Sequence, residues 1–368
     1  MQRIIIFGAK SIALGVCKAI RLLYSQYEIL GFMVSSMQDN SDILLGLHVE
    51  EIEYYADKYS DKDKINVVIA TPEDLYDEIK KTLSKYGFTN YICMSSVEKA
   101  KFIEAYYKKI CRFPSLHNLN CDPKERAVIQ VYMAQSHKDR VLQNAYHIPD
   151  WVYPIQVGAE LTDMRIADLL DNMGDNISEK NANYCELTAL YWMWKNKLTG
   201  IDRMPHGEMA QDNPLYYGIF HYRRILDISD EDLSRAASNH VDVIFPFPTI
   251  HEPDICEHHA RYINESDWGA MLQALRELQP AYADAFSEIF GQEYLYNYNI
   301  IIAKREVLAD YCAWLFPILE RTEQLSTPKG WERADRYIGY IGENLLTLYF
   351  MYHKKDFHIV HTGEIMLT

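Results

Sequence analysis

No run of about 18 apolar residues occurs in this 368-residue chain, so no segment is expected to span a membrane. The opening Met-Gln-Arg-Ile-Ile-Ile-Phe-Gly has too short an apolar core for a signal peptide and runs straight into a fold pattern. Cysteine is sparse and scattered. Its seven residues form no Cys-x-x-Cys, which argues against a disulfide framework and against a structural zinc site. These absences together predict a cytoplasmic protein. Positive charge is short as well: 37 Lys and Arg stand against 52 Asp and Glu, a net charge of −15. That balance opposes nucleic-acid binding and general adhesion to anionic lipid, although a local basic patch can coexist with it. No internal repeat and no low-complexity segment is visible.

What is present is the composition of a soluble globular protein, with 48% hydrophobic and 24% charged residues. The length favours two domains. The 28 tyrosines and six tryptophans supply flat amphipathic rings that suit sugar faces. The same rings build ordinary cores, which must take most of them.

The first 110 residues alternate strands with helices, the pattern of a parallel, Rossmann-like sheet. Residues 3–7 read as a buried strand ended by Gly8, and Ser11 to Tyr24 as an apolar-periodic helix. Further strands are expected at Glu28 to Val34, Asn66 to Ala70 and Asn90 to Met94. Between the last two, Leu75, Ile79 and Leu83 recur every four residues and Gly87 follows as a C-cap. Gly8-Ala9-Lys10-Ser11-Ile12-Ala13-Leu14-Gly15 stands where a dinucleotide fingerprint would, but Lys10 replaces the second Gly of G-x-G-x-x-G. The second strand ends in Val34-Ser35-Ser36 without the acid expected for a ribose. This module is read as an accessory domain, with weak nucleotide binding at Gly8 to Ser11 as the alternative. A chain starting near residue 120 is expected to keep the functional site.

Pro114, Asn118, Asn120 and Pro123 make residues 111–126 a linker, and residues 127–368 form the second domain. Ala127 to Tyr132 restarts with a strand, and Pro154 to Ala159 is another. Asp171 to Asn183 is a polar loop leading into a helix from Tyr184 to Asn196, apolar on every face and therefore buried. Glu186 is its one acid. An unpaired buried carboxylate is costly, so Glu186 needs a cation, a polar pocket or the helix dipole. After a turn at Asp212-Asn213-Pro214 comes Tyr216-Tyr217-Gly218-Ile219-Phe220-His221-Tyr222-Arg223-Arg224. As a strand it places His221 and Arg223 on one face with Ile219, and Tyr222 and Arg224 on the other with Phe220. Guanidinium forks at a strand's end suit a phosphate or diphosphate; the bland alternative is a strand end with two solvated arginines. His251 to His259 is rich in potential metal ligands but matches no metal spacing, so it reads as a surface or acceptor-contact loop. Helices follow at Asp267 to Leu278, Ala281 to Phe290, Arg305 to Arg321 and Tyr340 to His353, with strands at Val241 to Phe245, Tyr298 to Ala303 and Phe357 to His361.

The Tyr216 to Arg224 stretch resembles the signature strand of a family of bacterial capsule and exopolysaccharide glycosyltransferases, long described only as a domain of unknown function and related in fold to GT-A nucleotide-sugar transferases. Three more stretches carry the resemblance. They are Gly174-Asp175-Asn176-Ile177-Ser178-Glu179-Lys180-Asn181 with Tyr184 to Trp192, Asn299 to Ile302 with Tyr311 to Pro317, and Ile338 to Leu346. Together they span about residues 127 to 350, and Asn344 departs from the pattern where a basic residue is expected. The resemblance implies a GT-A-like domain behind the Rossmann-like module. It implies transfer of a hexose, galactose or galactofuranose among the options, from a UDP-sugar to a saccharide acceptor. A lipid-linked acceptor would bring the enzyme to the inner membrane face. It also implies that Ala134 to His137, Ser136 among them, line the nucleoside pocket, and that Lys138, Asn181, His221, Tyr222, Arg223 and Arg224 contact the donor.

Most GT-A enzymes end a central strand with Asp-x-Asp, which holds a divalent metal. Here that pattern occurs only at Asp61-Lys62-Asp63 and Asp230-Glu231-Asp232, neither after a strand of the second half. No cofactor is therefore expected, and the arginines stand where the acids would. A metal held by other carboxylates stays open. Glu343, flanked by Gly339 and Gly342, is the expected base or else a helix-dipole partner, with Glu186, Asp175 and Asp267 as the other candidates. The rival readings are an NAD(P)-dependent oxidoreductase using the first sheet and a non-catalytic sugar-binding protein.

Overall fold

The computed structural model describes residues 2–142, 146–199 and 215–368, so the turn read at Asp212, Asn213 and Pro214 lies outside the described residues. The first part of the chain is β1 (Gln2–Phe7), α1 (Ser11–Leu23), β2 (Tyr27–Val34), β3 (Ile43–Leu44), β4 (Leu47–Glu51), α2 (Ile52–Lys58), β5 (Ile65–Ile69), α3 (Tyr76–Lys85), β6 (Tyr91–Cys93) and α4 (Ser96–Lys109). They form a six-stranded sheet in the order β3-β4-β2-β1-β5-β6, parallel except for the β3–β4 pair. Ile4, Ile5 and Ile6 are all buried, because a parallel strand is covered on both faces and reads as a continuous apolar run. Ile79 and Leu83 turn inward as their spacing predicts, while Leu75 lies exposed in a 3-10 turn ahead of α3. Strands β3 and β4 carry no periodic signal, and α4 starts from a Ser95/Glu98 capping box that the sequence reading passed over.

The rest is β7 (Ile129–Gln135), β8 (Val152–Gln156), β9 (Leu169–Leu170), α5 (Asn181–Tyr184), α6 (Leu187–Met193), β10 (Tyr216–His221), β11 (Arg224–Leu226), α7 (Asp230–Ser238), β12 (Val243–Pro246) and β13 (Thr249–Ile250). It continues with α8 (Ile255–His259), α9 (Glu265–Leu278), α10 (Pro280–Phe290), β14 (Tyr294–Leu295), β15 (Ile301–Lys304), α11 (Arg305–Leu325), α12 (Tyr337–Tyr352), β16 (Ile359–Thr362) and β17 (Glu364–Met366). A nine-stranded sheet runs β16-β12-β15-β10-β7-β8-β9, with β11 and β17 attached at the end of β10. Along that path β15 alone runs against its neighbours. Gly218 sits where β15 presses closest: a Cβ there would stand 2.6 Å from the Ile301 carbonyl oxygen.

Three local expectations change. The signature strand stops at His221, which pairs antiparallel with Arg224, so Tyr222 and Arg223 form a tight turn and face alternation ends there. The helix from Tyr184 is broken: Cys185 takes φ +52° between α5 and α6. The strand expected from Tyr298 begins only at Ile301, because Tyr298 and Asn299 take φ +65° and +52°.

Residues 111–126 do not hang free. Leu116 is fully buried in the core beneath β7 and β10, and His117 contacts Glu104 of α4 at 3.2 Å. The two sheets also share apolar packing. Phe247, Ile250 and Tyr294 belong to the cluster around α1 and α4, with the Tyr107 ring stacked on Phe247 at 5.3 Å. A chain starting near residue 120 would lose that apolar cover.

Candidate functional site

A cavity of about 740 Å³ opens at the C-terminal edge of the nine-stranded sheet, within the usual size of ligand pockets. The parallel strands end there and β15 begins there, which is where α/β sheets bind ligands. Ala134 and Ser136 line it from the end of β7, His221 from the end of β10, and Tyr298 from the approach to β15.

Two carboxylates share the cavity. Glu186, only 7% exposed, stands at the start of α6 and accepts a hydrogen bond from Asn299 Nδ2 at 2.6 Å. Glu343 projects from the second turn of α12 and is bonded by the Tyr298 backbone N–H. The two left-handed residues thus hold one carboxylate each. Tyr in that conformation costs of order 1–3 kcal/mol, a strain that clusters at functional sites. Desolvation, and then the neighbouring Glu186 charge, push the Glu343 carboxyl up to about 8. Desolvation also raises Glu186. The helix-dipole reading of Glu343 weakens, because the dipole fades beyond the first turn. Gly339 and Gly342 serve helix packing: their Cβ atoms would stand 3.2 Å from Cys185 Sγ and 2.7 Å from Leu187 Cδ1.

Around these acids stand cations. Arg224 pairs with Glu364 at 3.1 Å and lies over the Tyr298 ring at 3.9 Å. Arg223 and Arg140 both reach Asp74, beside α3 of the first sheet, at 3.4 and 2.9 Å. Neither arginine of the signature pairs with Asp175. His221 is held to about 4 by burial and then by Arg224, so it is neutral, and its buried Nδ1 has no protein hydrogen-bond partner. Such an orphan calls for a ligand or water. Arg336 went unnoticed in the sequence. It caps α12 at φ +68° and makes no ion pair with a carboxylate among the described residues; its Nε–H points to Cys185 Sγ at 3.3 Å.

The stretch around Asn181 and Asn183 holds the site's backbone in place. Asn183 Oδ1 accepts the backbone N–H groups of Asp335 and Arg336 at 3.0 and 3.3 Å, fixing the turn that presents Arg336. Asn181 donates to the Cys185 carbonyl at 2.8 Å, holding the break that carries Glu186. Buried Asp171 accepts from Gly158 N, Ser178 Oγ and Thr188 Oγ1, tying the end of β8 to the motif loop and α6.

Of the residues read from the sequence, Glu343, Glu186, His221, Tyr222, Arg223, Arg224, Ala134, Ser136, Lys138 and Asn181 line the cavity. His137 and Asp175 do not. Asp175 is exposed and takes a 3.3 Å hydrogen bond from Tyr191, because its loop folds back on α6. Asp267 is consumed by a two-pronged pair with Arg333 at 2.9 and 2.7 Å. The His251 to His259 segment brings His251 to the cavity, and no group of three His, Cys, Asp or Glu among the described residues is arranged to hold a metal. Lys10 and Ser11 of the first sheet line the same cavity. No helix among the described residues is long and apolar enough to cross a membrane.

Among solved structures, the chain matches the apo structure of WbbM, a bifunctional glycosyltransferase, at 24% identity and a TM-score of 0.53 over 65% of this chain. The chain spans 45% of that protein's length. The likeness is one of fold, an α/β architecture shared with a glycosyltransferase. The comparison with curated proteins finds no match. The family model described as a domain of unknown function, DUF4422, matches residues 130–355, and the chain belongs to that family.

Proposed function

We propose that this protein is a glycosyltransferase that moves a hexose from a UDP-sugar to a saccharide acceptor. The observation that carries the reading is the pairing, in one cavity at the sheet's C-terminal edge, of two enclosed carboxylates with a cationic rim. The fold shared with a glycosyltransferase supports it. The nucleoside lies against Ala134 and Ser136, and the diphosphate faces Arg336, Arg224 and the neutral His221. In the transfer the acceptor oxygen bonds to the anomeric carbon as the bond to the diphosphate oxygen breaks. The acceptor's proton passes to Glu343, and UDP carries away the electron pair. A base with its pKa near the working pH suits that task. Guanidinium groups already in place stabilise the charge growing on the leaving diphosphate. Glu186 raises the proton affinity of Glu343, and Asn299 keeps Glu186 in position.

The test is a thermal-shift panel of nucleotide sugars, followed by transfer and donor-hydrolysis assays with whichever binds. A UDP-hexose is expected to stabilise the protein and to be turned over. Stabilisation without any transfer or hydrolysis would leave a sugar-nucleotide binding protein instead.

A further inference from the structure

The cavity has a second cationic face that the donor does not require. Lys10 reaches it from the loop after β1, and Arg261 from the turn after α8, so two different parts of the fold deliver like charges to one rim. Among the described residues neither forms an ion pair with a carboxylate; Lys10 Nζ donates to the Asp39 carbonyl oxygen. Burial and then the Arg261 charge lower the Lys10 pKa, outweighing the nearby Asp39 carboxylate, as expected for two cations that face each other. Beside them Tyr262, half exposed, meets the Tyr340 ring at 5.1 Å, and both rings line the cavity. Flat amphipathic rings next to unpaired cations match a sugar ring that bears a phosphate.

We propose that Lys10, Arg261, Tyr262 and Tyr340 form the acceptor subsite, and that it takes a saccharide carrying a phosphate or diphosphate. This rests on the transferase reading, and it gives the first sheet a part in substrate choice. The loop that has lost the dinucleotide pattern keeps a lysine because its ligand is the acceptor's phosphate. The tyrosines stack on the sugar, and the phosphate bridges the two cations.

Isothermal titration in saturating UDP, with hexose 1-phosphates against the matching methyl hexosides, reads the subsite without any need for turnover. The phosphates are expected to bind at least tenfold tighter. Lys10→Ala and Arg261→Ala should each remove most of that preference, while the dissociation constant for UDP moves less than twofold. A long-chain alkyl ester of the same sugar phosphate in neutral phosphatidylcholine vesicles separates the sources. Binding of free and vesicle-borne forms alike marks a reader of the phosphate itself, and binding of the vesicle form alone narrows it to a lipid headgroup. Equal affinity for phosphate and methyl forms would overturn the proposal. So would variants that weaken UDP as much as the sugar phosphate, since the pair would then belong to the donor diphosphate. A protein that shows the phosphate preference but transfers no sugar would keep the subsite and lose the transferase reading.

Discussion

The two sheets begin alike and end differently. Each opens with a buried parallel strand running into a polar turn, Gly8-Ala9-Lys10-Ser11 after β1 and Ser136-His137-Lys138-Asp139 after β7. The nine-stranded sheet gathers two enclosed carboxylates, Glu186 and Glu343, in the cavity at its edge. It does so because α12 and the α5–α6 break meet the approach to the reversed strand β15, which bends at Tyr298 and Asn299. The six-stranded sheet has no such reversed strand at its centre; it lends Lys10 and Ser11 to its neighbour's cavity, and Asp74 to the ion pairs of Arg223 and Arg140 beside it. The same class of sheet therefore carries a cavity edge in one case and serves as a wall in the other.

The sharpest way to break that comparison is at Glu343. Glu343→Gln keeps the shape and removes the base, so turnover is expected to fall roughly 10²- to 10⁴-fold. Donor affinity should hold within about twofold, and the rise of rate with pH through about 8 should disappear. Unchanged turnover would move the role to Glu186 or off this edge altogether.

Next comes charge at the same edge. Each charge-assisted hydrogen bond to phosphate contributes about 1.5–3 kcal/mol, so Arg336→Ala and Arg224→Ala should each slow transfer by roughly 10- to 150-fold. Lys replacements should recover part of the loss, since an ammonium keeps charge without the fork. Rates measured in excess chelator and with added manganese are expected to be equal. Activity that dies in chelator and returns with manganese would mean a metal site built from other groups.

A smaller effect is expected from the wall. Asp74→Ala frees Arg223 and Arg140, and should raise the donor KM roughly two- to fivefold with little change in kcat, within the usual value of an exposed ion pair. Asp74→Glu should restore part of it. A kcat loss as large as that of Glu343→Gln would make the first sheet a partner in the chemistry.

The smallest effect is on stability. The fold raises the Glu343 pKa from 4.5 to about 8, so it favours the protonated carboxyl. That contribution is complete below about pH 4.5 and is lost as pH climbs towards 8. Glu343→Gln should therefore melt with the parent at pH 4 and above it, by roughly 2 °C or more, at pH 8. A constant gap across that range would mean the carboxyl is not held protonated.

Much of the fold was legible in the sequence because apolar period survives in a single chain. The isoleucines of β1, the Ile79–Leu83 stripe and the run from Tyr216 bury as their spacing requires. Alternating strands and helices foretold the first parallel sheet, and the motif residues Glu186, Glu343, His221 and Arg224 do meet in one cavity. The sequence could not reveal Arg336, Lys10 and Arg261 as neighbours, because a solvated arginine and a cavity arginine look the same in a string. Nor could it show the breaks at Cys185 and Tyr298, where packing overrides local preference and forces left-handed backbone on residues that rarely adopt it. Asp175 misled for the same reason: adjacency in a motif says nothing about which way a loop folds back. Local periodicity fixed the elements. Convergence of side chains from distant segments, set by how α12, β15 and the first sheet pack together, decided the site.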